Sequence, residues 1–544
     1  MKFVQSCWSC NQPSLLEFNA GWYAPEYHLM SWALSSLQLK KYHDNLALYT
    51  DSVSARILID ELKLPYDDVF CDLDSLDKTN AGLWALPKIY TYSRQEEPFL
   101  HVDGDIFIWK PFGEKVLSGE LIAQNVEVAT DYYENIMTSL EENLAFFPDE
   151  ILCERKQNDK IYAYNAGILG GSDICFFKEY TAKANEFIHR NVARFDRIKV
   201  SDFNIFYEQY LFYCMAIQQR KPVNLLLPEI RGGNEYLGFG DFPEVPHNRH
   251  FLHLLGSFKT NKQVCEQMAN RLRLDYPQHY YRIIALFKRR QVPLKKNYYH
   301  FAEATEQDLV KRHAILKRKF GENQLTITEM NTTPRTFARD YSLTKLVKNA
   351  IKKIIEDQDH YPGITADYFR VYLEDVSLFE ENIFSLLTEK FAGYSDSYLY
   401  ARDISHTEYF GHIFADPKMG YQMKLITDRG YHILESRFDW SEIDTDAFGQ
   451  MVLMEQLELA PSKYFTAVIP ECESTGFRLL NVDELDIRIL EIFTESATVN
   501  ELLNALRSDF DDADLEASEQ EFEILITGRI KVAIMNKLLK TVTV

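Results

Sequence analysis

Over the first 120 residues, apolar runs of strand length alternate with amphipathic stretches of helical period. Phe3–Trp8 predicts a strand. Tyr27–Tyr42 predicts a helix with Leu29, Met30, Ala33, Leu34, Leu37 and Leu39 as its apolar face, and Asn45–Tyr49 predicts a short buried strand closed by Thr50 and Asp51. Ser54–Leu62 predicts a helix, Val69–Leu73 a strand, Ala81–Ser93 a helix interrupted by Pro87, and the run through Phe99 and Val102 a further strand. Strands alternating with helices in this way predict an α/β fold, a Rossmann-like and mostly parallel sheet covered on both faces. Ligands of such sheets bind beyond the carboxyl ends of the strands, and Asp51, Asp103 and Asp105 all fall at that edge.

Mixed α/β patterning continues to residue 295 and then stops. A helical region follows, with Leu343–Ile355 and Val376–Phe391 as its clearest helices, and β-patterning returns from Tyr398 to Phe438. There Tyr421–Leu425 alternates, Asp428-Arg429-Gly430 makes a turn, and Tyr431–Leu434 returns, which predicts a hairpin. The last stretch reads as strands at Tyr464–Ile469 and Gly476–Leu480, then a helix from Asp483, a capping box from Thr498 to Glu501 opening a second helix, and a third helix from Ser518. The resulting division is 1–295, an α/β domain; 296–459, a helical and then β-rich domain; and 460–544, a small domain of strands and three helices.

At 544 residues the chain is too long for one core. Its formal charge of −22 repels phosphate backbones, which argues against nucleic acid as a partner. One basic stretch runs from Arg282 through Lys288, Arg289, Arg290, Lys295, Lys296, Lys311 and Arg312 to Lys317, Arg318 and Lys319, and reads as a solvated helical surface. No run approaches the ~18 apolar residues that cross a bilayer, and the N-terminus lacks signal-peptide architecture. Eight scattered cysteines form no disulfide framework, so a cytoplasmic location is expected. Cys7-Trp8-Ser9-Cys10 is a C-x-x-C pair without the second pair that a zinc site wants, and small buried thiols are its simplest reading.

The chemistry concentrates around Phe99–Phe112, where an apolar strand runs into Asp103-Gly104-Asp105 and a second apolar run follows. Two carboxylates beside a glycine suit a hard divalent cation such as Mg²⁺ or Mn²⁺ bridging to substrate phosphates. Three later segments bear on this pair. Tyr164-Asn165-Ala166-Gly167 lies in a glycine-bearing strand that a ligand can approach closely. Glu208-Gln209 opens a helix. His253-Leu254-Leu255-Gly256-Ser257-Phe258-Lys259 offers an imidazole to complete a metal shell and a lysine to meet a phosphate as a point charge.

The ordered set D-x-D, N-x-G, acidic-Gln and H-x-x-G-x-x-K resembles the GT-A glycosyltransferases, most closely the glycogenin and galactosyltransferase-like retaining group, over about half the chain. The resemblance implies that Asp103, Asp105 and His253 hold Mn²⁺ (or Mg²⁺), and that the metal bridges the diphosphate of a UDP-sugar. It implies that Lys259 binds the same diphosphate beside Gly256, Asn165 and Gly167. It makes Lys88 the lysine that reaches the donor from the preceding helix, and Glu208 and Gln209 the residues that stabilise or orient the sugar. The chain departs from the group where Glu208 replaces the usual Asp, and where Cys7–Cys10 occupies the loop that usually meets the nucleobase.

The tail resembles the small winged-helix peptide-recognition elements fused to enzymes that modify ribosomally made peptides, in which a leader peptide adds to an edge strand. The function these resemblances imply is metal-dependent transfer of a sugar from a nucleotide sugar to a peptide recruited by the tail. Rival readings are a glycosyltransferase of cell-surface or lipid-linked glycan assembly with a structural tail, and a non-catalytic adaptor on the same fold. Self-association into a homo-oligomer is left open.

Overall fold

The chain near its N-terminus is buried on both faces, as the central strand of a parallel sheet must be: Phe3, Val4, Gln5 and Cys7 are all in the interior. The computed structural model describes residues 1–128, 131–158, 160–228, 249–295, 343–356, 365–391, 424–428, 430–441, 462–470, 477–508 and 512–542, with a few single positions between them. It divides into two units, Met1–Lys295 and Lys296–Val544.

The strands of the first unit are β1 (Lys2–Cys7), β2 (Leu46–Thr50), β3 (Asp68–Phe70), β4 (Phe99–Val102), β5 (Ile106–Ile108), β6 (Leu121–Ala123), β7 (Val126–Val128), β8 (Tyr162–Tyr164), β9 (Ile168–Gly171), β10 (Val223–Leu225) and β11 (Phe251–His253). Seven of them form one sheet in the order β10-β6-β9-β4-β1-β2-β3. β1 lies parallel to β2 and β4, β2 to β3, and β6 to β10, while β9 runs antiparallel between β4 and β6. The mixed α/β architecture with a largely parallel central sheet is therefore as expected. Two small antiparallel pairs, β5 with β11 and β7 with β8, stand beside the main sheet.

Several local readings shift. The strand expected at Val69–Leu73 covers Asp68–Phe70 and turns at once into a 3₁₀ segment, Asp72–Leu76. There the Asp74 carboxylate accepts from the Ser52 amide at 2.7 Å, drawing the chain out of the sheet. The helix expected across Ala81–Ser93 begins at Leu86, with Pro87 in its first turn, where a missing N–H costs nothing. The segment Ser54–Leu62 is a short helix continued by a π-helical turn at Arg56–Glu61. Within the basic stretch, Arg282 donates to the Leu62 carbonyl at 2.9 Å and both Arg289 and Arg290 pair with Glu61. Lys296, Arg312, Lys317, Arg318 and Lys319 lie outside the described residues.

The second unit contains β12 (Lys424–Thr427), β13 (His432–Ser436), β14 (Tyr464–Pro470), β15 (Phe477–Val482), β16 (Ala497–Thr498) and β17 (Leu539–Thr541). β13, β14 and β15 form an antiparallel sheet whose alternate side chains serve two different cores. Leu434, Val468, Phe477 and Leu479 pack with the helices Leu343–Glu356 and Arg370–Ser385. Ile433, Ala467, Ile469, Leu480 and Val482 pack with the helices Glu484–Ile492, Val499–Arg507 and Asp512–Met535. The capping box of Thr498 and Glu501 closes as expected, and a second one forms between Asp483 and Asp486.

The hairpin expected around Asp428–Gly430 does not form. β12 pairs with β16 and β17, and β13 pairs with β14. The turn itself is present: the Asp428 carboxylate accepts from the Gly430 amide at 3.0 Å. The buried Arg402 guanidinium donates to the Gly430 carbonyl at 3.0 Å and to the Pro470 carbonyl at 2.7 Å, so the turn is tied to the end of β14. Both edges of β12 are already occupied, and the chain passes from one sheet to the next. Tyr421, Met423 and Arg429 lie outside the described residues.

Candidate functional site

β4 ends at Val102 because β9 stops pairing with it there, opposite Ile168. The Asp103 amide donates to the Gly167 carbonyl at 2.8 Å, which sets that glycine beside the first carboxylate. The next residue has to be glycine, since a Cβ on Gly104 would lie 2.7 Å from the Trp32 indole. Trp32 is itself fixed by donating to His28 at 3.0 Å. The chain then re-enters strand geometry as β5 and pairs antiparallel with β11, with His253 opposite Ile106 and the Leu254 amide donating to the Asp105 carbonyl at 3.1 Å. This register carries the imidazole to the second carboxylate. His253 Nε2 lies 3.4 Å from Asp105 Oδ1, and one ligand atom from each of Asp103, Asp105 and His253 falls within 4.8 Å of the others.

The donor set fits a divalent cation. His253 Nδ1 meets Gln124 Oε1 at 2.7 Å, and the Gln124 amide nitrogen donates to Asn125 at 3.0 Å. Gln124 Oε1 is the acceptor for His253 Nδ1, which leaves Nε2 as the ring atom turned toward Asp105. Neither Nε2 nor Asp105 Oδ1 has a hydrogen-bond partner among the described residues, although both are buried. A carboxylate oxygen and a ring nitrogen facing each other in a buried cleft suit a shared cation.

Two lysines close on the carboxylates. Lys88, buried in the helix Leu86–Ser93, reaches Asp103 at 2.8 Å and Glu208 at 2.9 Å. Burial disfavours its charge, but the two carboxylates outweigh that and raise its pKa above the ordinary lysine value. Burial pushes Glu208 up to about 7, against the opposing pull of Lys88. Lys259 pairs with Asp105. Burial would raise the Asp105 carboxyl, yet Lys259 and His253 together hold it well below the usual carboxylate range, while Asp103 is raised by burial. Gly256 adopts a left-handed backbone (φ +50°), which glycine permits, and turns the chain between His253 and Lys259.

The remaining expected residues sit around this centre in different ways. A Cβ on Gly167 would fall on the His253 imidazole, 2.7 Å from Nδ1, so this glycine is the seat of the ring. Asn165 spends both ends on protein, donating to Glu127 at 2.7 Å and accepting from the Gly167 amide at 2.9 Å. Glu208 is fully buried, whereas Gln209 is half-buried and lies 3.2 Å from the Tyr133 hydroxyl, which also donates to Glu127. Asp51 is taken up by the Ser9 and Ser54 amides, each at 2.6 Å. Burial and the neighbouring Asp51 push the Cys7 thiol up and Cys10 up to about 12, the reverse of a reactive thiolate pair.

Sequence reading missed Gln124, Glu127 and Tyr133, which carry no local signature. It also missed Trp84, an exposed aromatic whose ring faces the Lys88 ammonium at 5.8 Å.

A protein-family model matches residues 1–286, just over half of the chain. The chain belongs to DUF6734, a family of unknown function. No curated protein sequence matches this DUF6734 chain. Among solved structures it is similar to the apo form of mouse xyloside xylosyltransferase 1, at 9% identity and a TM-score of 0.23, over 41% of this chain and 84% of that one. It is also similar to the galactosyltransferase LgtC in complex with donor and acceptor sugar analogues, at 11% identity and a TM-score of 0.21, over 38% of this chain and 70% of that one. Superpositions this loose leave the fold to rest on the strand order and register given above.

Two outcomes follow from this geometry. Gly167→Ala displaces the His253 ring and should weaken Mn²⁺ binding by about tenfold or more, in the range of altered second-shell support; electron paramagnetic resonance of free Mn²⁺ measures it, and unchanged affinity with a native melting profile removes the seat. The raised Glu208 pKa means the folded state holds a proton that the unfolded chain releases above its ordinary value of 4.5. Stability therefore falls as pH rises from about 4.5 to about 7. Glu208→Gln should flatten that fall in urea titrations run across this window.

Proposed function

We propose that this chain transfers a sugar from a nucleotide sugar, a UDP-sugar, to an acceptor with retention at the sugar carbon. The observation that carries the reading is the convergence of Asp103, Asp105 and His253 within 4.8 Å, with Lys88 and Lys259 closing on the same carboxylates at the end of β4. A diphosphate leaving group develops negative charge as the sugar departs, and Mn²⁺ or Mg²⁺ held by these three residues supplies the charge that stabilises it. Lys259 meets the diphosphate as a point charge. Lys88 keeps Asp103 and Glu208 fixed relative to each other, and Gln209, steadied by Tyr133, orients the sugar. The leaving phosphate accepts the acceptor's proton, so no strong base is demanded of the chain.

The acceptor in this reading is a ribosomally made peptide recruited in the cytoplasm by residues 460–544. Three features of the second unit support it. β15 is an edge strand among the described residues. A shallow recess beside it is lined by Leu480, Val482, Ile489 and Val532. Leu525 and Val532, seven residues apart on the helix Asp512–Met535, are half exposed, and open space surrounds Gly528 between them. An extended peptide added to β15 places alternate side chains over this recess. No helix among the described residues is long and apolar enough to cross a membrane.

Calorimetry with UDP and Mn²⁺ should show metal-dependent binding, and Asp105→Ala should cost about a hundredfold in turnover of the donor. Full activity in excess EDTA is incompatible with the reading. For the acceptor, a fluorescently labelled extended peptide with apolar residues at alternate positions should bind the intact protein and lose about tenfold in affinity with Val532→Glu, as a buried charge in a docking face requires. Equal binding by both proteins removes the peptide from the reading while leaving sugar transfer standing.

A further inference from the structure

The metal pocket is already charge-compensated by lysine. The Lys259 ammonium sits on Asp105, the carboxylate whose other oxygen faces His253 Nε2 at 3.4 Å. A divalent cation taking up Asp103, Asp105 and His253 would share that carboxylate with an ammonium, and two cations on one carboxylate in a buried cleft repel strongly. Lys88 cannot yield, because it is buried and also holds Glu208. Lys259 can. Its side chain is about a quarter exposed, and it follows the left-handed turn at Gly256. Its backbone is anchored, since the Tyr23 amide donates to the Lys259 carbonyl at 2.8 Å. A second seat lies within the side chain's reach: the face of the buried Trp22 indole, whose centroid is 5.9 Å from Nζ.

We infer that Lys259 is an exchangeable internal counter-ion, which the divalent cation displaces from Asp105 and which thereby becomes available to an anionic ligand. Before the metal enters, Lys259 neutralises Asp105 and blocks one ligand oxygen. After it enters, the ammonium pivots about its anchored backbone, stays near Trp22, and faces whatever phosphate the metal attracts. Metal and nucleoside diphosphate then bind with positive coupling, because each pays for less rearrangement when the other is present. This inference rests on the metal reading of the site. It concerns what one residue does before any sugar is transferred.

The test is calorimetric titration of Mn²⁺ into the full-length, nucleotide-free protein, repeated with UDP present. Lys259→Met should bind Mn²⁺ about tenfold more tightly than the wild type in the absence of UDP, since a competing cation has gone. The same variant should bind UDP more weakly and lose the coupling between the two ligands. Lys259→Arg, which keeps the charge, should retain wild-type Mn²⁺ affinity. Lys262→Met removes an exposed charge nearby and should change the affinity by less than about twofold. Unchanged or weaker Mn²⁺ binding by Lys259→Met overturns the exchange, and so does equal tightening by Lys262→Met, which would assign the effect to the general field. Wild-type protein that binds no Mn²⁺ at millimolar concentration overturns the metal site itself. Mn²⁺ bound by a wild type that transfers no sugar would overturn the proposed activity alone.

Discussion

Two carboxylates separated by one residue cannot both stay ionised in a buried cleft without cations close to them, and the first unit is arranged around meeting that demand. Asp103 and Asp105 are fixed by the end of β4 and the start of β5. Compensation then arrives from three distant parts of the chain. Lys88 comes from a helix before β4, His253 from β11, and Lys259 from the turn after it. Even the packing around the pair serves it: Trp32 leaves room only for glycine at 104, and His253 leaves room only for glycine at 167. Without cations the cleft would have to protonate or swell, so this compensation is as much a condition of folding as of chemistry.

Legibility from sequence followed how local each signal was. Asp103-Gly104-Asp105 lies in one segment with apolar runs on either side, so its place at a strand end could be read directly. The alternation of β1, β2 and β4 with helices was readable for the same reason. His253 and Lys259 were reachable through residue type and order, but the register that joins them to Asp105 spans some 150 residues and has no local trace. Gln124, Glu127 and Tyr133 were unreadable because amide, carboxylate and phenol side chains occur throughout such chains. Their partners come from distant segments: His253 of β11 for Gln124, Asn165 for Glu127, and Gln209 beside Tyr133.

The failed hairpin has the same physics in reverse. Asp428-Arg429-Gly430 is a sound turn, and the turn is made. A turn fixes only the direction of the chain, whereas pairing is decided by which strands offer free edges. β17, more than a hundred residues later, takes one edge of β12, and β16 takes the other. Buried Arg402 then commits Gly430 to β14. The result is a sheet, β13-β14-β15, whose two faces both pack against helices, so that among the described residues its edges and the outer sides of those helices remain uncovered.

The site thus separates into a rigid part and an adjustable part. Gly104 and Gly167 are required by the rings packed on them, and neither has a left-handed backbone, so the segment holding Asp103, Asp105 and His253 has little freedom to move. Gly256 is different. It is exposed, its φ is +50°, and nothing lies within 4 Å of where its Cβ would be. The segment it controls carries Lys259, the one cation of the centre with an exposed flank and an aromatic face beside it. A binding site for a doubly charged ion and a polyanion needs ligands that hold still and a counter-charge that can change partners. The steric demands at 104 and 167 supply the first, and the partly exposed Lys259 side chain beside Trp22 supplies the second.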